Sequence, residues 1–109
     1  MRFTIIGWNF RKTPVEVRDN LVLTPDQQVE LGHQLSNRFN LGGIAILSTC
    51  NRTEFFLVNA EQQLDQIIEM LEKYWKLSEL RESVYIIHNL DGVRHLFRVA
   101  SSLDSMVLG

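Results

Sequence analysis

Short apolar runs alternate along this chain with longer stretches of helical periodicity. The run Phe3 to Gly7 reads as a first strand, and Thr13-Pro14 turns the chain out of it. Val15, Val17 and Leu21 then suggest a short amphipathic segment. Thr24-Pro25-Asp26-Gln27 is a helix start, with Thr as N-cap, Pro at the first helical position and Gln where a capping box needs it. Val29, Leu31, Leu35 and Phe39 carry that helix along roughly one side, and Gly42-Gly43 is expected to end it. Ile44 to Leu47 and Glu54 to Val58 read as two buried strands. The polar corner Ser48-Thr49-Cys50-Asn51-Arg52-Thr53 joins them as a β-hairpin. Asn59 to Gln62 offers a second cap, before Leu64, Ile67, Ile68, Leu71 and Trp75 at helical spacing. Val84 to Ile87 makes a fourth strand. Asp91 opens a last helix with Val93, Leu96, Phe97 and Ala100 inward.

The order is strand, helix, strand, strand, helix, strand, helix. It predicts an α+β fold: a ferredoxin-like βαββαβ antiparallel sheet with helices packed on one face, plus a C-terminal helix. Another small α+β sandwich is the alternative. No repeat, low-complexity tract or linker interrupts the 109 residues, so 1–109 reads as one domain. A domain of this size buries roughly two-thirds of its unfolded surface, enough for a core without disulfides or metals.

Composition narrows the function. The chain is 45% hydrophobic and 22% charged, the balance of a globular domain. Eleven basic residues against thirteen acidic ones leave a net charge of −2. That disfavours a general RNA-binding module, whose affinity comes from neutralised phosphates. It leaves room for contact with a small part of a nucleic acid whose bulk is held elsewhere. The single cysteine excludes an intrachain disulfide and fits an intracellular protein. No apolar stretch approaches the ~20 residues a membrane span needs, and Arg11 and Lys12 follow the first apolar run, the reverse of a secretory signal. The expected location is cytoplasmic. Ser105 to Gly109 reads as a helix end or as the place where a longer protein was cut.

Cys50 is the candidate nucleophile. An isolated cysteine is ordinarily a small buried hydrophobe, but this one sits at a polar corner among Thr49, Asn51 and Arg52. A thiol reacts as thiolate, and a free one is only slightly ionised at neutral pH. Arg52 would either favour the thiolate or grip a substrate carboxylate with its planar fork. Asn51 would donate to a carbonyl or carboxylate, and backbone N–H groups in a tight turn would stabilise an oxyanion. Taken singly, Arg52 also reads as a solvated loop charge and Asn51 as a turn former.

Three histidines are candidates for a base or orienting group. His33 falls on the outer side of the first long helix. His88 follows the fourth strand as a loop or cap residue. His95, near the start of the last helix, either points toward the hairpin corner or is structural. No glycine-rich loop opens a helix, so the dinucleotide fingerprint is absent, and a reaction that needs a nicotinamide would require another domain to hold it. Metal-ligand spacing is absent.

Three ordered blocks together resemble the glutamyl-tRNA reductase family. Leu47-Ser48-Thr49-Cys50-Asn51-Arg52-Thr53-Glu54 looks like its nucleophile motif, and Gly7 to Arg18 is similar to its first strand and turn. His95 to Gly109 resembles the segment closing its catalytic domain. The resemblance implies that Cys50 attacks the ester of glutamyl-tRNA and forms a thioester. Hydride from NADPH, held on a separate domain, would then reduce it to glutamate-1-semialdehyde for tetrapyrrole synthesis. It also implies substrate-binding roles for Thr49, Asn51, Arg52 and Ser105, with Arg52 on the glutamate side-chain carboxylate. His95 would orient substrate or assist proton transfer. The chain would be the N-terminal catalytic domain of a homodimer, without the NADPH-binding and dimerisation domains. Departures from the family pattern fall at Phe10, Lys12 and Ser102.

Two other readings use the same residues. A non-catalytic ferredoxin-like binding or redox-sensing module would present Cys50 as an exposed thiol. An RNA-binding module would stack bases on Phe55, Phe56 and Tyr85, although strand aromatics more often serve the core.

Overall fold

The computed structural model describes residues 2–11, 15–77, 80–88 and 106–108. The elements are β1 (Phe3–Asn9), α1 (Val15–Leu21), α2 (Pro25–Phe39), β2 (Gly43–Ser48), β3 (Arg52–Val58), α3 (Leu64–Trp75), α4 (Leu80–Ser83), β4 (Tyr85–His88) and β5 (Met106–Leu108). A single 3-10 turn, Glu61–Gln63, leads into α3. The strands form one sheet in the order β4-β1-β3-β2-β5, and every pairing is antiparallel. Its first four strands have the ferredoxin-like arrangement expected from the element order. The two long helices contribute to the same cluster on one face. The fold is α+β as predicted.

The helix-covered face holds Ile6, Trp8, Phe10, Ile44, Ile46, Phe55 and Leu57 from the sheet. They meet Leu31, Leu35 and Phe39 of α2 and Ile67, Ile68, Leu71 and Trp75 of α3. Each such side chain contributes about 1.5–3 kcal/mol when fully buried. Trp8 anchors this core. Its ring meets Phe55 and Trp75 edge-on at centroid distances of 6.2 and 5.6 Å, and its indole N–H donates to Leu80 O at 2.8 Å. A smaller buried cluster of Ile5, Ala45, Leu47 and Phe56 lies on the opposite face.

The α2 start is as expected. Gln27 N–H donates to Thr24 Oγ1 (3.2 Å), while Thr24 N–H donates to Gln27 Oε1 (2.9 Å). Elsewhere local chemistry differs from the prediction. Val29 is exposed, and the buried stripe of α2 runs through Gln28, Leu31, Gly32, Leu35 and Phe39. The Gln28 amide tolerates burial because it donates to Leu23 O at 2.9 Å. Asn40, in the left-handed conformation, ends α2 rather than Gly42-Gly43. Gly42 donates its N–H to Val58 O at 3.0 Å, and Gly43 begins β2. Asn59 caps no helix; its Oδ1 accepts from Arg2 N–H at 3.0 Å.

At the other end of the chain, 106–108 pair with β2 as a strand, where a helix end was expected. The predicted helix from Asp91 and the Thr13-Pro14 turn lie outside the described residues. No described helix is long and apolar enough to cross a membrane.

Candidate active site

The hairpin between β2 and β3 closes more tightly than the six-residue corner suggested. Ser48 pairs with Thr53, so Thr49, Cys50, Asn51 and Arg52 make the turn. Thr49 organises it. Its N–H donates to Arg52 O at 2.8 Å, and its hydroxyl oxygen accepts from the N–H groups of Asn51 and Arg52, each at 3.2 Å. Threonine favours such turns because its short hydroxyl reaches backbone groups two and three residues on. The residue just after β1 adds a second tie, with Phe10 N–H donating to Asn51 O at 2.8 Å. Cys50 is left exposed at the tip with Asn51, and Arg52 is half-buried beside them.

Below the turn, a buried chain of hydroxyls joins the hairpin to the α1–α2 connection. Leu23 N–H donates to Ser48 Oγ (2.9 Å), and Thr53 Oγ1 donates to Leu21 O (3.2 Å). Ser48 Oγ and Thr53 Oγ1 are 2.7 Å apart. Since the Thr53 proton is committed to Leu21, Ser48 must be the donor between them. The turn bearing Cys50 is thus fixed from below by side chains and from the side by the residue that follows β1.

A second polar group lies on the face opposite the helices. Arg52 and Glu54 share that face of β3, two residues and about 7 Å apart along the strand. Gly7 of β1 lies between Glu54 and Tyr85 in register. The Tyr85 ring crosses this glycine, and its hydroxyl donates to Glu54 Oε2 at 2.5 Å. A methyl group at position 7 would stand 2.6 Å from Tyr85 Cζ, so glycine is required for the crossing. Glu54 is fully buried. Burial of the phenol, and then its hydrogen bond to Glu54 and that carboxylate's charge, push the Tyr85 pKa far above its usual value; nearby Arg52 opposes them.

The other predicted residues fall out as follows. His95 and Ser105 lie outside the described residues, as does Lys12. His33 is exposed on α2, as expected. His88 is the last residue of β4, with Nδ1 3.3 Å from Thr4 Oγ1. Phe10, one of the departures, is 1% exposed and belongs to the core. Phe55 and Phe56 are buried, which removes them as base-stacking platforms. Glu54 and Tyr85 had not been singled out as a pair. The available signals were a glycine inside a strand and a glutamate inside an apolar run.

The described residues do not fit a dinucleotide. Gly42 and Gly43 lead into a strand rather than a helix, and no described glycine has positive φ. No group of three or more potential metal ligands occurs among the described residues.

Comparison with known proteins agrees with the sequence blocks. Residues 6–109 match the family described as glutamyl-tRNAGlu reductase, N-terminal domain. The chain is 43% identical over 111 aligned positions to glutamyl-tRNA reductase of Ectopseudomonas mendocina, covering all of this chain and 26% of that protein. It is 42% identical, with the same coverage, to the Pseudomonas aeruginosa PAO1 protein of that name. This chain therefore spans about a quarter of these relatives. Glutamyl-tRNA reductase from Methanopyrus kandleri shares the fold, with a TM-score of 0.65 over 93% of this chain and 22% of that one, at 24% identity.

Proposed function

The chain belongs to the glutamyl-tRNA reductase family, as its N-terminal domain, and from that premise we propose that Cys50 accepts the glutamyl group of glutamyl-tRNA as a thioester. The observation that carries the reading is the turn itself. It presents one exposed thiol on a rigid, doubly tied backbone, with a guanidinium two residues away. In the proposed step the Cys50 thiolate attacks the ester carbonyl carbon. A carbon–sulfur bond forms, the ester carbon–oxygen bond breaks, and the tRNA leaves as its terminal hydroxyl after taking up a proton.

The turn divides the labour among its residues. Thr49 spends its hydroxyl oxygen on the Asn51 and Arg52 N–H groups and acts by fixing the turn. Of the backbone N–H groups at the tip, that leaves Cys50's as the oxyanion donor. Arg52 takes the glutamate side-chain carboxylate, and Asn51 contacts the glutamyl group. His95 and Ser105 enter on resemblance, as a proton-transfer or orienting group and a substrate contact. Reduction of the thioester needs a hydride source that these residues are not built to hold. NADPH is assigned to a part of the protein outside this chain, as is the dimer contact.

Two variants of the whole reductase test the reading. Cys50→Ser should acquire no label from glutamyl-tRNA carrying labelled glutamate; labelling equal to wild type means that Cys50 is not the acceptor. Arg52→Lys should lose activity well beyond a charge-conserving change, since the planar fork is lost. Unchanged kinetics would remove the carboxylate-binding role.

A further inference from the structure

Asn9, the last residue of β1, lies directly opposite Arg52, the first residue of β3. The next pair along, Phe10 and Asn51, is joined by the bond from Phe10 N–H to Asn51 O, so Asn9 and Arg52 form a pair without backbone hydrogen bonds between them. Antiparallel strands come closest at such pairs, with Cα atoms about 4.5 Å apart. Both side chains leave the sheet on the face away from the helices. Asn9 is exposed and Arg52 half-buried, and Phe10 anchors the backbone beside them in the core.

The two side chains share one chemical property. A guanidinium carries donors and no acceptor. An amide carries both, but Asn9 Oδ1 accepts from Arg11 N–H at 3.0 Å. That bond fixes which way round the amide sits and leaves its N–H2 group as the part still to be used. Among the described residues, no hydrogen bond engages that N–H2 group and no ion pair engages Arg52. Two neighbouring groups that can only donate therefore stand next to the turn that exposes the Cys50 thiol.

Resting on the reading of Arg52 given above, we propose that Asn9 is a second contact for the side-chain carboxylate of the glutamyl group, and the residue that tells it from a carboxamide. A carboxylate offers two acceptor oxygens, one for each donor. A glutamine side chain offers one, and its own N–H2 group would face a donor with nothing to accept its protons, which is costly in a closed site. The carboxylate of a glutamyl group lies only a few bonds from the ester carbon, so its receptor belongs beside the thiol.

The test is a selectivity ratio in the whole reductase: the rate of labelling of the protein from glutamyl-tRNA divided by that from the same tRNA carrying glutamine, each with labelled amino acid. A general loss of structure lowers both rates and leaves the ratio alone. Asn9→Ser keeps an oxygen for Arg11 N–H but is too short to reach the ligand, and it should lower the ratio about tenfold, the worth of a hydrogen bond to a charged group. Asn9→Asp also keeps that oxygen, exchanges the donor for an acceptor, and should lower the ratio further. An Asn9→Ser ratio equal to wild type overturns the proposal, as does an Asn9→Asp ratio above that of Asn9→Ser. If Arg52→Lys leaves the ratio unchanged, the carboxylate-binding reading of Arg52 fails and this proposal with it. A drop for Arg52→Lys with none for Asn9→Ser refutes only the role given to Asn9.

Discussion

Replacing Ser48 by alanine removes one oxygen from beneath the turn that bears Cys50, and its effect can be worked out from the contacts. Ser48 is 8% exposed and Leu23 3%, so the Leu23 N–H that loses its acceptor has no easy access to water. An unsatisfied buried donor costs about 1–3 kcal/mol. Thr53 loses the proton donated by Ser48 but keeps its own bond to Leu21 O. The expected total is about 2 kcal/mol. With a urea m-value of ~1–1.5 kcal/mol/M for a domain of this size, the unfolding midpoint should fall by about 1.3–2 M. Tryptophan emission is a suitable probe, since Trp8 and Trp75 are both buried and in edge contact. Thr53→Val should be destabilising as well. Because both residues belong to one chain of bonds, the double variant should lose about 1 kcal/mol less than the two single losses combined. A midpoint for Ser48→Ala within ~0.3 M of wild type would show that the hydroxyl chain does not hold the hairpin.

Two further outcomes follow from single contacts. The Tyr85 pKa is raised in the folded state, so the unfolded chain ionises first and releases protons that the folded chain retains. The stability due to Tyr85 is therefore complete below about pH 10, the unfolded value, and declines above it. Urea midpoints measured from pH 8 to 11 should fall more steeply for wild type than for Tyr85→Phe; parallel curves would contradict this. Thr24→Ala removes the α2 N-cap and should lower stability by about 1 kcal/mol, read as a thermal midpoint several degrees lower.

The main elements were legible in the sequence because their signals were local. The capping box at Thr24 and the apolar spacing from Leu64 to Trp75 both specify structure within a few residues, and both elements formed as read. Burial was less legible where it depended on a distant partner. Hydrophobicity alone favours Val29 over Gln28, yet Gln28 is buried because Leu23 O is within reach of its amide. Asn59 looked like a cap because its side chain can bond nearby backbone, and it was taken instead by Arg2, 57 residues away. The site divides in the same way. Cys50 stood out by its polar surroundings, whereas the link from Glu54 to Tyr85 crosses three strands and 31 residues. Only the sheet register reveals that Gly7 makes it possible.

The register also bears on how the domain assembles. Of the strand pairs described, β2 and β3 alone are neighbours in sequence, closing at Ser48 and Thr53. β1 must wait for distant partners: Phe3 meets Val58 and Thr4 meets His88. Short loops close fastest, on a scale of about 1–10 μs for hairpins, and long ones carry the entropic barrier. The turn bearing Cys50 is then the natural nucleus of the sheet, and a substitution such as Thr49→Ala should slow folding more than it speeds unfolding in stopped-flow measurements. The opposite split would place the nucleus elsewhere. Residues that display the Cys50 thiol would also be the ones that start the chain folding, so their replacement would reduce the yield of folded protein.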